Sequence, residues 1–352
     1  MMIGVIAHGL SSTGFSGEGE VYRASLEALE EAGIDYFSIS FSKPRNKVKN
    51  PVYLFPFPIR RFDRYQRLLV YYSAKKVRNK VSLFLNLSGF IIPLSDYAPH
   101  YIYAGRSPRG LNVSGSILKR IYQFPLHRIL STLKFEAKKA FFAANSRYSA
   151  KAISQMYEIP EPRVIYPPVD VEFYSRAFQI HEREDLFVTV GRIERNKSLE
   201  NAITISAMTG IKGVIVGSLS DRRYLKEIIS KKKRMNANVD ILPNLPREEL
   251  LKIMGRAKAY FHPRIGEHFG IPVVESMAAG LVPVVPRESG AYEVVPEFSY
   301  SSLEEAVEQL KRAVSAEDKV RRDMHERAKP FNRSRFKAEI LSWLREGVGA
   351  NL

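Results

Sequence analysis

Downstream of Asp185, short apolar runs alternate with helical stretches, and this alternation limits the chain to few folds. Apolar runs rich in β-branched residues fall at Leu186 to Val190, Gly213 to Val216, Val239 to Leu242, Ala259 to His262 and Val282 to Val285, and helical spacing starts near Ser198, Asp221, Arg247 and Pro272. Strands separated by whole helices pair in parallel, so the pattern implies a parallel sheet flanked by helices. The first forty residues open in the same manner. Ile3 to Ala7 reads as a strand, His8 to Gly19 as a glycine-rich loop, Glu20 to Ala32 as a helix and Tyr36 to Phe41 as a second strand, the start of a doubly wound α/β domain. Between the two regions, Ala140 to Ala144 reads as a strand and Ser149 to Tyr157 as a helix, and Pro160, Pro162, Pro167 and Pro168 then break regular structure as an interdomain linker would. The expected architecture is two Rossmann-type domains in tandem, residues 1–165 and 166–330, followed by a helix over 331–352 for which packing back on the first domain is one option.

At 352 residues, 45% hydrophobic and 26% charged, the chain has the composition of an ordinary globular protein of about two domains. It has no cysteine, which excludes a disulfide framework, a thiolate nucleophile, an iron–sulfur cluster and Cys-ligated zinc. The longest apolar run, Val81 to Leu94, is interrupted by Asn86, Ser88 and Gly89 and falls short of the roughly 18 residues a membrane span needs, so it reads as buried strand and loop. The N-terminal MMIGVIAHGL lacks the basic start of a signal peptide, and a cytoplasmic location is the expectation.

The net charge of +17 is concentrated: residues 41–150 hold 21 Lys and Arg against the acids Asp63, Asp96 and Glu136. Aromatics interleave the cations in FPFPIRRFDRYQRLLVYY, Phe55 to Tyr72. Three readings compete for this stretch: a solvated face, a surface for anionic lipid headgroups, and a nucleic-acid surface.

In a parallel sheet, ligands lie beyond the carboxyl ends of the strands, which directs attention to two segments of the second half. In VGRIERNKSLENAI, Arg192 and Lys197 sit between a strand and a helix that Ser198 is placed to cap, an arrangement suited to phosphate, although both cations also read as ordinary loop charges. In HPRIGEHFGIPVVESMAAGLVPVVPRESGAYEVV, Glu267 closes a loop after a strand, Gly270 allows close backbone approach, and Glu275 falls inside an apolar helix where a carboxylate is costly without hydrogen-bond donors. Paired glutamates suit sugar hydroxyls, since each accepts several donors; a dipole-stabilised acid at Glu267 and a core carboxylate at Glu275 are the plainer readings.

Taken together, VGRIERNKSLENAI, VIVGSLSDRRYLKEI, VDILPNLPREELLKIMGRAKAYFHP, EHFGIPVVE and SMAAGLVPVVPRESGAYEVV resemble the retaining glycosyltransferases of family 4, of GT-B fold, strongly over about residues 140–296 and weakly before. NSRYSAKAI, IYPPVD and EHFGI look most like the mannosyltransferases that extend lipid-linked oligosaccharides for N-glycosylation. The resemblance implies two Rossmann-like domains whose parallel sheets face across a cleft. It also implies a donor diphosphate held by Arg192 and Lys197, Glu267 beside the transferred hexose, and Glu275 on the nucleotide ribose. His268, Phe269, Gly270 and Ile271 match the turn whose amides face sugar and phosphate; Gly217, Ser218, Pro243 and Asn244 fall where the base is enclosed; Gly14 and Gly17 match the glycine loop near the phosphates. The implied donor is a GDP- or UDP-hexose and the implied acceptor a glycan or polyprenyl-phosphate-linked glycan, with no cofactor and no metal. The chain has no Asp-x-Asp motif, and Arg192 with Lys197 would take the place of a divalent ion.

One departure stands out. Where relatives carry a histidine after a first-domain strand, this chain has Ala104 and Gly105, with Arg106 nearby; His100 at the start of that strand reads mainly as structural. The expected enzyme is a peripheral protein of the cytoplasmic membrane face, with transfer to a soluble acceptor as the main rival. A nucleic-acid-binding protein would use the same basic stretch but would leave Arg192, Lys197, Glu267 and Glu275 unexplained.

Overall fold

The computed structural model describes residues 2–7, 17–44, 47–57, 59, 63–104, 133–179 and 183–348. Two compact units result: Met1–Pro168 with Arg333–Leu352, and Val169–Asn332.

In the first unit, β1 (Met2–Ile6), β2 (Asp35–Ile39), β3 (Pro51–Val52), β4 (Leu83–Asn86), β5 (His100–Ala104), β6 (Phe141–Ala144) and β7 (Arg163–Val164) form one parallel sheet in the order β3-β2-β1-β4-β5-β6-β7. Its helices are α1 (Gly17–Glu31), α2 (Asp63–Lys75), α3 (Lys134–Lys139), α4 (Arg147–Tyr157) and, from the far end of the chain, α12 (Arg333–Val348). Alternate strand residues serve opposite faces. Ile3, Val5, Leu83, Leu85, Tyr101 and Tyr103 pack with α1 and with Phe336, Ile340, Trp343 and Leu344 of α12, whereas Ile6, Ile39 and Phe84 pack with Val70 and Ala74 of α2. Both faces being covered explains why these strands read as unbroken apolar runs. Trp343 meets the Tyr101 ring edge-on at 5.1 Å, and full burial of a side chain of this kind is worth roughly 1.5–3 kcal/mol.

The second unit carries α5 (Val171–Ser175), β8 (Glu184–Val190), α6 (Glu200–Thr209), β9 (Lys212–Gly217), α7 (Arg222–Arg234), β10 (Val239–Pro243), α8 (Arg247–Arg256), β11 (Ala257–Phe261), α9 (Ile271–Ala278), β12 (Val282–Pro286), β13 (Ser299–Tyr300), α10 (Leu303–Val314) and α11 (Asp318–Ala328). Its sheet is parallel, in the order β10-β9-β8-β11-β12-β13. Strand order reverses between β8 and β11, and a crevice opens at the carboxyl ends of strands at such a switch.

Two local expectations differ from what forms. The first helix starts at Gly17, three residues before Glu20, because the glycine enters its first turn. Ser198 does not cap α6: it closes a 3-10 turn over Arg195–Lys197 in the left-handed region at φ 51°, and Leu199 occupies the cap position with no side-chain bond. The extra turn consumes the residues that a direct strand-to-helix step would have left at the cap.

Candidate active site

The loops leaving β8 and β11 meet at the switch point, and Lys197 and Glu267 meet with them. Lys197 Nζ lies 2.8 Å from Glu267 Oε2, with the side chains 22% and 12% exposed. Arg264 Nη1 approaches the same oxygen at 3.4 Å and His262 Nε2 at 3.9 Å. The other oxygen, Oε1, accepts the His268 backbone N–H at 3.2 Å. Asn201 of α6 donates to the Pro263 carbonyl at 3.1 Å and so pins the two loops together.

Burial opposes ionisation of Glu267, but Lys197 and Arg264 outweigh it and hold the carboxyl well below the usual range. His262, 4% exposed, is pushed down to about 4, by burial first and by Lys197 and Arg264 against the pull of Glu267. The site therefore presents an ionised carboxylate between two cations, backed by a neutral imidazole. Arg264 and His262 were not singled out from sequence. The available signal was Arg264 three positions before Glu267, within reach across one turn.

Arg192 is not part of that cluster. Its Nη2 pairs with Glu194 Oε1 at 2.9 Å and its side chain is 46% exposed, so it stands at the rim of the same loop.

The exits of β8, β9 and β10 are laced by backbone bonds. Gly191 N–H donates to Val216 O at 3.0 Å, Ile193 N–H to Ser218 O at 2.8 Å and Asn244 N–H to Gly217 O at 2.8 Å. Asn244 adopts φ 57° and its Oδ1 accepts the Leu219 N–H at 2.9 Å. Gly217, Ser218 and Asn244 thus lie together beside the loop that carries Arg192 and Lys197, and the Asn244 side chain holds that corner.

Gly270 opens α9 at φ 86°, in the left-handed region where a glycine belongs, and Pro272 occupies the first helical turn. Phe269 points into the core, against Phe331 at 5.7 Å. Ile271 is half-buried at the first helical position and Glu275 lies on the second turn.

In the first unit, Gly14 and Arg106 lie outside the described residues, and Gly17 is exposed at the start of α1. His100 is fully buried, with Nδ1 donating to Glu136 Oε1 at 3.0 Å and Nε2 3.3 Å from Asn86 Nδ2. Ser95 also donates to Glu136 Oε1, through its hydroxyl at 2.6 Å and its N–H at 2.9 Å. Burial lowers the imidazole despite Glu136, and the His100–Glu136 pair clips α3 to the sheet. This is the structural role that its place in the strand suggested.

This pair of parallel sheets is the GT-B glycosyltransferase fold. A sucrose-phosphate synthase from Thermosynechococcus elongatus matches it with a TM-score of 0.75 at 16% identity, over 98% of each chain. HepE of Anabaena, crystallised with UDP and glucose, matches with a TM-score of 0.69 at 14% identity, over 97% of this chain and 98% of its own. Residues 170–331 match the family described as "Glycosyl transferases group 1", and the second unit is a domain of that kind. Among curated relatives is the GDP-Man:Man(3)GlcNAc(2)-PP-Dol alpha-1,2-mannosyltransferase of Dictyostelium discoideum, 23% identical over 54% of this chain and 43% of its own length. The Homo sapiens enzyme of the same name is 27% identical over 42% of this chain and 33% of its own. The chain thus spans less than half the length of these relatives.

Proposed function

We propose that this protein is a retaining, metal-independent hexosyltransferase that moves a hexose from a GDP- or UDP-sugar to a glycan or polyprenyl-phosphate-linked acceptor. The observation that carries this reading is Glu267 held ionised by Lys197 and Arg264 at the β8/β11 switch point of a glycosyl transferases group 1 domain. Breaking an anomeric carbon–phosphate bond builds negative charge on the leaving diphosphate and positive charge on the sugar. Lys197 and Arg192 serve the first, Glu267 the second, and fixed charges so placed stabilise the transition state more than the ground state. Glu275 accepts from the ribose hydroxyls, the corner of Gly217, Ser218 and Asn244 encloses the base, and the amides of residues 268–271 face sugar and phosphate. Attack from the face the diphosphate leaves, with a phosphate oxygen taking the acceptor proton, gives retention. The names of the mannosyltransferase relatives support a lipid-linked acceptor.

Association with an anionic membrane surface, at the cytoplasmic face, belongs to the same proposal. No helix among the described residues is long and apolar enough to cross a membrane. The first unit exposes Phe57, Leu69, Tyr72 and Tyr97, and it also exposes Lys75, Lys76 and Lys80. Tyr97 bonds Tyr71 at 3.1 Å and lies under Arg78 at 5.5 Å. Aromatics beside lysines suit the headgroup layer. One cation the sequence offered to that face is removed from it. Arg67 is buried, its Nη1 donating to Ser88 O at 2.6 Å and its Nη2 pairing with Glu18 at 3.0 Å. Arg60 and Arg61 lie outside the described residues.

The test is a thermal-shift screen with GDP, UDP, ADP and their sugars, followed by product analysis for anomeric configuration. A nucleoside diphosphate at a hundredfold its Kd stabilises the folded state by about 2.7 kcal/mol. No stabilisation by any of them overturns the reading, and loss of transfer in excess EDTA, restored by magnesium, overturns its metal-free part.

A further inference from the structure

Helix α7 of the second unit carries a charge that neither the fold nor the site uses. Its inward face is fixed by Tyr224 and Ile228, both buried, with the Tyr224 hydroxyl bonded to Glu200 of α6. Asp221 caps the helix, its Oδ1 accepting the Arg223 N–H at 2.9 Å and the Tyr224 N–H at 3.0 Å. With that face turned in, a period of about 3.6 residues leaves Arg222, Lys226, Ile229 and Lys233 exposed in one outward line, about 16 Å long at about 1.5 Å per residue. Arg223 and Arg234 are exposed beside it. The helix has one acid, Glu227, and Arg195 already pairs with it at 2.5 Å.

Part of this charge has an ordinary explanation. Lys231 to Arg234 lie in the last turn, where the helix carbonyls favour cations. Arg222 and Arg223 lie in the first turn, where the dipole opposes them, and Arg222 also repels Lys226 one turn on. None of Arg222, Arg223, Lys226 and Lys233 has an acid partner among the described residues, so the face gains from an anion outside the chain.

The apolar residues choose among anionic partners. Ile229 interrupts the line of cations at 38% exposed, and Met235 follows the helix end at 36%. A phosphate backbone or an acidic peptide answers only the charges, whereas a bilayer sets an apolar layer beneath its charged headgroups and rewards both residue types. A single-stranded nucleic acid would want an aromatic on which to stack, and Tyr224, the aromatic of α7, is buried. We propose that the outward face of α7 docks on an anionic lipid surface, with Arg222, Lys226 and Lys233 on headgroup phosphates and Ile229 at the acyl boundary. This face lies on the second unit, whereas the aromatics and lysines named above lie on the first. It stands apart from the transferase reading as well, since lipid binding is measured without nucleotide or sugar.

Arg222→Gln, Lys226→Gln and Lys233→Gln together remove charge and keep helix propensity, because Gln ranks with Lys and Arg. Partition of the full chain is measured by sedimentation with phosphatidylcholine vesicles that contain phosphatidylglycerol, with pure phosphatidylcholine as control and polyglutamate as a soluble polyanion. At about fivefold per cation, the triple variant should bind the anionic vesicles on the order of a hundredfold more weakly. Salt at about 1 M, where the Debye length is about 3 Å, should weaken the wild type in the same direction. Ile229→Ser keeps every charge and should lose severalfold at either salt. Melting temperatures should not move, as no ion pair is lost; were the triple variant unstable, Lys226→Gln alone should still lose about fivefold, and no loss there overturns the proposal. Wild-type protein that ignores anionic vesicles overturns it, and so does a triple variant that partitions like wild type, which assigns any binding to the first unit. Unchanged partition of Ile229→Ser, with polyglutamate bound as tightly as the vesicles, overturns the lipid assignment in favour of a soluble polyanion.

Discussion

Gly217→Ala is the sharpest test of how the second unit holds its site. A β-carbon at Gly217 would stand 1.7 Å from the Gly191 carbonyl oxygen and 2.7 Å from its carbon, where such atoms essentially never come under 3.0 Å. Both contacts are backbone, so no rotamer change relieves them; the ends of β8 and β9 must part by more than an ångström. The bonds from Gly191 N–H to Val216 O and from Ile193 N–H to Ser218 O span that gap at 3.0 and 2.8 Å and would be strained with it. Overpacking costs about 1–3 kcal/mol where side chains can yield, and each lost hydrogen bond about 1 kcal/mol more, so a penalty of at least about 3 kcal/mol is expected. For a unit of this size, that lowers Tm by roughly 6–12 °C. Diphosphate affinity should fall too, since the displaced loop carries Arg192 and Lys197. Gly191→Ala is the control. Its β-carbon meets nothing nearer than Lys197 Cγ and Leu199 Cδ2 at 3.7 Å, an ordinary contact, so Tm should stay within about 2 °C of wild type. Calorimetric melting of the three proteins decides the matter, and a Gly217→Ala protein as stable as wild type would show that the close approach of the two strand ends is not a constraint.

Other expectations follow from the charged groups. Glu267→Gln should slow transfer by about a hundredfold or more while nucleoside diphosphate binding survives; single-turnover rates check this, and a wild-type rate removes Glu267 from the chemistry. Lys197→Ala should weaken diphosphate binding by roughly ten- to hundredfold, the value of one charge-assisted bond, and unchanged affinity by calorimetry removes it from the site. His262 gives the second unit a pH dependence. Its folded value of about 4 lies below the ordinary 6.5, so the unfolded chain takes up the proton first and stability falls as pH drops from about 6.5 to 4. The full effect is on the order of 3 kcal/mol, and His262→Asn should flatten that part of the curve in urea melts. Arg67→Ala should cost about 1.5–3 kcal/mol through the Ser88 carbonyl and Glu18 without changing liposome binding, whereas Lys75→Glu with Lys80→Glu should reduce liposome binding at low salt without changing Tm.

The class of fold and most of the second unit were legible in the order of residue types along the chain. Strands buried on both faces must be apolar throughout, and helices between them must be long enough to cross back, so the runs from Leu186 to Val285 announce parallel strands from their residue types alone. The backbone requirement at Gly270 and the cost of a carboxylate at Glu275 were legible for the same reason: each is a local property of one residue type in one place. Which side chains meet was settled by the packing of elements distant in sequence. Lys197 and Glu267 are 70 residues apart, and their contact depends on β8 and β11 being neighbours, which is a matter of strand order and not of spacing. Arg192 and Lys197 read alike in sequence, yet one pairs at the rim with Glu194 and the other with Glu267, because the 3-10 turn between them rotates the chain. Arg67 belonged with the surface cations by composition. Its burial under Ser88 and beside Glu18 is a long-range fact, and an arginine's long stem allows either fate. Charge and residue type are written in the chain one position at a time, whereas burial and partnership depend on everything that folds around that position.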